Sequence, residues 1–105
     1  MGDTAPKDGP PQFLIHDEGD SVAVAVREIA PGTAHGAVLK SGRRCAYEVR
    51  HRVPLGHKFA VTDIAAGADV VKYGVRVAVA TKDIATGDYV HVENVRSARW
   101  QNSVA

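Results

Sequence analysis

The sequence is poor in the residues that usually announce a function. It has one cysteine, Cys45, one tryptophan and one methionine, and aromatic residues are 6% of its 105 positions. A single cysteine excludes an internal disulfide framework and a metal cage made of thiolates alone. With so few rings, valine and alanine must do most of the core filling. Charge of one sign is missing too: 13 Lys+Arg stand against 12 Asp+Glu, a net charge of +1. No field is left to attract nucleic acid or a membrane surface. The longest uniformly apolar run is 22–26, far short of the ~20 residues of a membrane-spanning helix. Residues 1–12 contain no apolar stretch that reads as an export signal, and Pro6 sits where a myristoylation signal has Ser or Thr. A cytoplasmic protein is expected. There is no P-loop, G-x-G-x-x-G, G-x-S-x-G or H-E-x-x-H, so no complete active site is visible.

What is present is a foldable chain. Hydrophobic residues make up 45%, which suits one domain of about 100–150 residues. Residues 1–12 are rich in Pro and Gly and read as a disordered leader. The domain spans 13–95. Residues 96–105 carry Trp100 among basic residues and read either as a segment that docks on a large subunit or as one whose Trp folds back on its own domain. Pro31, Pro54 and ten glycines interrupt every window long enough for a helical period. Strand signals are plentiful. Segment 45–53 alternates, with Cys45, Tyr47, Val49, His51 and Val53 on an inward face. Further strands are expected at 21–27, 57–62, 69–72, 76–81 and 88–95. Turn residues separate them, including Tyr73-Gly74. The expected class is all-β, built from short strands. An internal repeat supports it: Asp63-Ile64-Ala65-Ala66-Gly67 recurs as Asp83-Ile84-Ala85-Thr86-Gly87, with a looser copy at Glu28-Ile29-Ala30-Pro31-Gly32. Each copy reads as a corner in which the Ile enters the core and the Gly takes a positive φ.

Three constellations could carry chemistry. His91 and Glu93, two residues apart on a strand, share a face at ~6.6 Å spacing, with Val90 and Val92 turned to the core. The pair could bind a divalent metal, act as base and orienting group, or be a wet strand face. His57 and Lys58 follow a tight turn at Pro54, as an anion or metal site or as a His stacked on Phe59 with the Lys in water. His16, Asp17, Glu18 and Asp20 cluster before the first valine run, as metal ligands or as a solvated loop that Asp20 caps. His51 is expected buried, His35 in a loop, and Cys45 packed.

Four blocks in order carry a resemblance. They are His16 with Asp20-Ser21-Val22-Ala23-Val24-Ala25, then Val53-Pro54-Leu55-Gly56-His57-Lys58-Phe59-Ala60, then Val71-Lys72-Tyr73-Gly74, then 83–95 with Tyr89-Val90-His91-Val92-Glu93-Asn94. Over about residues 14–100 the chain resembles the SAF domain of the altronate/galactarate dehydratase family. The resemblance implies a β-clip fold. It also implies β-elimination of water or bisulfite from a hydroxy-carboxylate, with a divalent metal, iron expected, shared with a large catalytic subunit. The chain is similar to the separate small subunits of the family, those acting on altronate or on sulfolactate, and is not expected to be active alone. On these blocks His57 and His91 would be the catalytic groups. Lys58, Asn94 and Asp20 would bind substrate, and His16, His91 and Glu93 would bind metal. Two positions depart from the family pattern: Ser21 stands where Asn is common, and Glu93 where a second His is common. The second change alters ligand charge and leaves metal and substrate open. Partners are the large subunit and a small hydroxy acid, with homo-oligomer formation left open. The rival function is a stand-alone SAF module that binds a sugar acid or a partner protein.

Overall fold

Short valine-rich segments cut by Gly and Asp become nine strands in a computed structural model that describes residues 9–97. They are β1 (Phe13–Ile15), β2 (Val22–Ala25), β3 (Gly32–Val38), β4 (Arg44–Val49), β5 (Lys58–Ala60), β6 (Asp69–Lys72), β7 (Val75–Ala80), β8 (Tyr89–Val90) and β9 (Val95–Ser97). The described residues contain no helix, and none that could cross a membrane. One sheet has the order β4-β3-β1-β2-β5-β8 and the other β6-β7-β9. Only β1 and β3 pair in parallel among the named strands.

The alternation of strand side chains divides the core in two. On β2 and β5, Ala23 and Phe59 face one cluster while their neighbours Val22 and Ala60 face the other. The first cluster centres on Phe13 and Phe59, whose rings meet edge to face at 5.1 Å. Ile29, Val38, Val49 and Val53 surround them. The second holds Ile64, Val70, Ile84 and Val90. Truncating a ring such as Phe13 to Ala typically costs about 3–5 kcal/mol.

The repeated corners brace these two halves. Ile64 and Ile84 exchange backbone hydrogen bonds at 2.8 Å, and Ile29 and Val53 do the same at 2.9 Å. Val53 therefore marks a fourth corner, Val53-Pro54-Leu55-Gly56, which shares only the spacing from buried apolar residue to Gly. The Gly56, Gly67 and Gly87 amides each donate at 2.8 Å to the last residue of a strand leading into the paired corner: Ala25, Ala80 and Ala60. The acids of the last two copies cross over. Asp63 accepts from the Thr86 amide at 2.8 Å, and Asp83 accepts from the Ala66 amide at 2.9 Å. Hydrogen bonding by Thr86 holds the Asp63 carboxyl below its ordinary value.

The structure corrects several sequence expectations. β1 and β3 were not anticipated, and His35 lies in β3 rather than a loop. Strand 45–53 stops at Val49, because the Arg50 amide turns aside to donate to the Gly87 carbonyl at 2.9 Å. His51 is consequently exposed, 3.4 Å from Asp88, instead of buried. Strand 88–95 is also broken. Only Tyr89–Val90 pairs with β5, and residues 91–94 form a turn that leaves Val92 89% exposed. Of the leader, residues 9–12 belong to the fold: Gln12 is buried, and its side chain accepts from the His35 amide at 2.9 Å. At the other end β9 runs to Ser97, paired with Ala78. Arg96 and Ser97 are thus part of a sheet, while Trp100 lies outside the described residues.

Two corner glycines separate backbone strain from crowding. Gly67 and Gly87 have φ of 86° and 91°. A methyl group at Gly67 would meet nothing, whereas one at Gly87 would run into the Glu48 carbonyl. Gly67→Ala should cost about 1–2 kcal/mol from the left-handed conformation alone. Gly87→Ala should cost ~1–3 kcal/mol more from overpacking. Urea unfolding midpoints check this; equal losses would remove the contact from the argument.

Candidate active-site wall

A groove of about 640 Å³ runs along the seam of the two sheets. Lys58 of β5, Lys72 of β6, Arg96 of β9 and His91 line it, with Val77, Val90 and Val95 supplying apolar surface. Among the described residues no Asp or Glu lines it. Its polarity follows from strand alternation and position. Lys58 sits in β5 between Val24 of β2 and Val90 of β8, where it is half-buried and lines the groove. Burial, helped by the positive charge of Lys72, lowers the Lys58 pKa from its ordinary value.

Next to the groove three rings stand in a row. The Tyr89 hydroxyl and His57 Nδ1 are hydrogen-bonded at 2.5 Å. The other side of the row is a stack of Tyr89 on His91, with ring centroids 4.4 Å apart and planes at 16°. Asn94 fixes this arrangement from the turn. Its Oδ1 accepts from the His91 amide at 2.9 Å and its Nδ2 donates to the Tyr89 carbonyl at 2.8 Å. Asn94 therefore positions the two flanking residues through their backbone. Tyr89 was not singled out from the sequence, although it lies two residues before His91, the spacing that puts strand side chains on one face.

The other expected site residues are placed elsewhere. Asp20 is buried, and its carboxylate accepts from the backbone amides of Asp17 at 3.2 Å, Tyr73 at 3.0 Å and Gly74 at 3.0 Å. It thereby holds the β6–β7 hairpin, whose two turn residues, Tyr73 and Gly74, both have positive φ, 60° and 72°. That anchoring sets Lys72 at the groove. His16 packs against Tyr73 with ring centroids 3.6 Å apart and planes inclined at 38°, and both its ring nitrogens are buried without a hydrogen-bond partner among the described residues. The Lys72 ammonium lies 5.1 Å from the centre of the same Tyr73 ring.

A metal fits this donor set poorly. His91 Nε2 and Glu93 Oε1 are 4.0 Å apart, with the Glu93 side chain 78% exposed. His16 does not join them: among the described residues no three His, Cys, Asp or Glu side chains gather as ligands. The i, i+2 geometry expected for His91 and Glu93 is lost because they lie in a turn rather than a strand. The described residues therefore offer a pair of donors, His91 and Glu93, rather than a complete ligand set.

An all-β domain with braced corners and a basic groove at the sheet seam defines the class. Residues 11–98 match the altronate/galactarate dehydratase SAF domain, and the chain belongs to that family. It is 38% identical over 90 residues to the (2R)-sulfolactate sulfo-lyase subunit alpha of Chromohalobacter salexigens, a match covering 84% of this chain and 96% of that subunit. It is 45% identical over 86 residues to the altronate dehydratase of Escherichia coli, covering 82% of this chain and 16% of the enzyme. The altronate dehydratase of Bacillus subtilis is 33% identical over 88 residues, again with 16% of the enzyme covered.

The lowered Lys58 pKa has a chemical consequence. Its folded state disfavours the ammonium, so its contribution to stability grows as pH rises from the lowered value toward the ordinary 10.5. At about pH 8 a larger share of Lys58 is neutral amine than for an ordinary lysine. Substoichiometric acetic anhydride should acetylate Lys58 ahead of the exposed Lys40 and Lys82. Peptide mass spectrometry reads the order, and slower labelling at Lys58 would contradict the assignment.

Proposed function

We propose that the chain is the small subunit of a hydroxy-acid lyase and completes an active site carried mainly by a separate large subunit. The carrying observation is that one chain, matching 96% of a sulfo-lyase alpha subunit, sets Lys58 and His91 on one groove beside the His57–Tyr89–His91 row. The altronate dehydratases support the same chemical class, although this chain spans only 16% of their length.

The chemistry asked of the site is a β-elimination. A base removes the proton α to the carboxylate. That C–H electron pair becomes the new C=C bond, and the β-substituent leaves with the electrons of its own bond, as water after protonation or as sulfite. Such a reaction needs a cation on the carboxylate to make the α-proton acidic, a base, and an acid for the leaving group. Lys58 supplies the cation from this side of the cleft. His91 faces the groove and is the acid/base group of this wall. His57 is coupled to it through Tyr89, which holds one imidazole by a hydrogen bond and the other by stacking. In this reading the divalent metal implied by the resemblance, iron expected, is held by the large subunit, because the described donors of this chain do not gather.

Co-expression with the large subunit tests the assignment. His91→Ala and His57→Ala should each lower kcat by about 100-fold or more, the usual worth of a general acid or base, while the complex still assembles. Undiminished turnover in an intact complex would take both imidazoles out of the site.

A further inference from the structure

His57 directly precedes β5, Tyr89 opens β8, and His91 begins the turn that follows β8. Tyr89 pairs with Phe59, two residues beyond His57, and this sets the phenol beside the imidazole. The Tyr89 hydroxyl lies 2.5 Å from His57 Nδ1, at the short end of the range for hydrogen bonds. Both partners are held. The Tyr89 ring is stacked on His91, with 4.4 Å between centroids and 16° between planes, and Asn94 Nδ2 donates to the Tyr89 carbonyl at 2.8 Å. The His57 amide donates to the Pro54 carbonyl at 3.0 Å, and its carbonyl accepts from the Ala25 amide at 2.8 Å. Two arrangements of the proton between hydroxyl and Nδ1 are chemically distinct. Either the phenol donates to Nδ1, or an Nδ1–H donates to the phenol oxygen. A phenol O–H is the more acidic donor and an imidazole lone pair the more basic acceptor, so the first arrangement is the stronger bond. A neutral imidazole that accepts at Nδ1 carries its own proton on Nε2. His91 meets the same phenol through its ring face. Its nitrogens lie in the plane of that ring and are not directed at Tyr89, so the stack imposes no tautomer on it.

We propose that Tyr89 is a positioning residue that gives the two imidazoles different parts: its hydroxyl holds His57 as the Nε2–H tautomer, a hydrogen-bond donor, and leaves His91 as the base of this wall. This rests on the lyase reading and divides its chemistry between the two rings. His57 is exposed in this chain and is accessible to a molecule bound between two subunits. Its Nε2–H stabilises negative charge that develops on the substrate as the α-proton leaves, without giving up its own proton. Tyr89 acts only through His57.

The full chain, isotopically labelled, is examined by long-range proton–nitrogen NMR correlation of its imidazoles at about pH 8.5, where an ordinary histidine is neutral. The His57 resonances are identified by their loss in His57→Gln. They should show a protonated Nε2 and an unprotonated Nδ1. Tyr89→Phe should move the Nδ1 resonance toward that of an unbonded imidazole nitrogen, whereas Tyr47→Phe, on β4, should leave it in place. Preserved amide spectra show that the variants are folded, and the tautomer of the unaltered chain needs no variant at all. In the complex assembled with the large subunit, Tyr89→Phe should lower kcat about 10-fold with KM little changed, the usual scale of loss when the partner that orients a functional imidazole is removed. A proton on His57 Nδ1, an Nδ1 resonance indifferent to Tyr89→Phe, or an unchanged kcat while His57 is required overturns the proposal. If the tautomer depends on Tyr89 as stated and the complex has no lyase activity, the lyase reading falls while the hydrogen-bond assignment stands. If the complex is active with His57 required and Nδ1 carries the proton, the lyase reading stands and the division of parts falls.

Discussion

The backbone cross-brace between corners is the constraint on which the rest of the molecule depends. Ile64 and Ile84 pair through two 2.8 Å hydrogen bonds, and the acids beside them cap each other's turn. Strands of two to seven residues have little stability on their own. Tying the end of one strand to the corner that starts another turns nine of them into a cooperative unit. The side chains at the tie points are buried isoleucines and a valine, so hydrogen bonding and apolar burial act at the same positions. The conformational cost falls on glycine, which adopts positive φ without a steric penalty.

That bracing makes the groove. Because the β5–β8 edge and the β6-β7-β9 sheet are locked through Ile64 and Ile84, Lys58 and Lys72 are brought to one cleft from different parts of the chain. Asp20 gives the second support. Its carboxylate satisfies three backbone donors, and leaving buried donors unpaired typically costs about 1–3 kcal/mol each. The result is a wall that carries cations, an imidazole and apolar surface. Such a wall suits a site completed by a second protein, since preorganised charge costs little to align at the moment of reaction.

The all-β class, the corners and most strand positions were legible because each has a local cause. Alternation marks half-buried strands, and Ile-x-x-Gly marks a corner. β1 escaped notice because three apolar residues cannot display a period. β3 was hidden by Gly32 and Gly36; Gly36 is required where the Phe13 carbonyl and ring leave no room for a side chain. His57, Lys58 and His91 were singled out as candidates; the structure places Lys58 and His91 on one groove, with His57 joined to His91 through Tyr89. Lys72 and Tyr89 were not singled out as site residues, since nothing local distinguishes a lysine that faces another lysine across a sheet seam. The strand expected to carry His91 and Glu93 on one face is absent for a related reason, although the two side chains still lie 4.0 Å apart. Asn94 bonds back to the His91 amide and the Tyr89 carbonyl, and this converts an expected strand into a turn. Asp20 was expected to bind substrate or to cap its own loop; its carboxylate accepts from the Asp17 amide in that loop and from backbone amides 53 and 54 residues away.

The central claim is that this domain is part of an active site and requires a larger catalytic chain to complete it. The direct measurement is reconstitution: lyase turnover of 3-sulfolactate and of altronate by this chain alone, by the large subunit alone, and by mixtures at increasing ratio. Turnover should appear only in the mixtures and saturate at a fixed stoichiometry. Turnover by this chain alone, or a large subunit whose rate is indifferent to its addition, would contradict the claim.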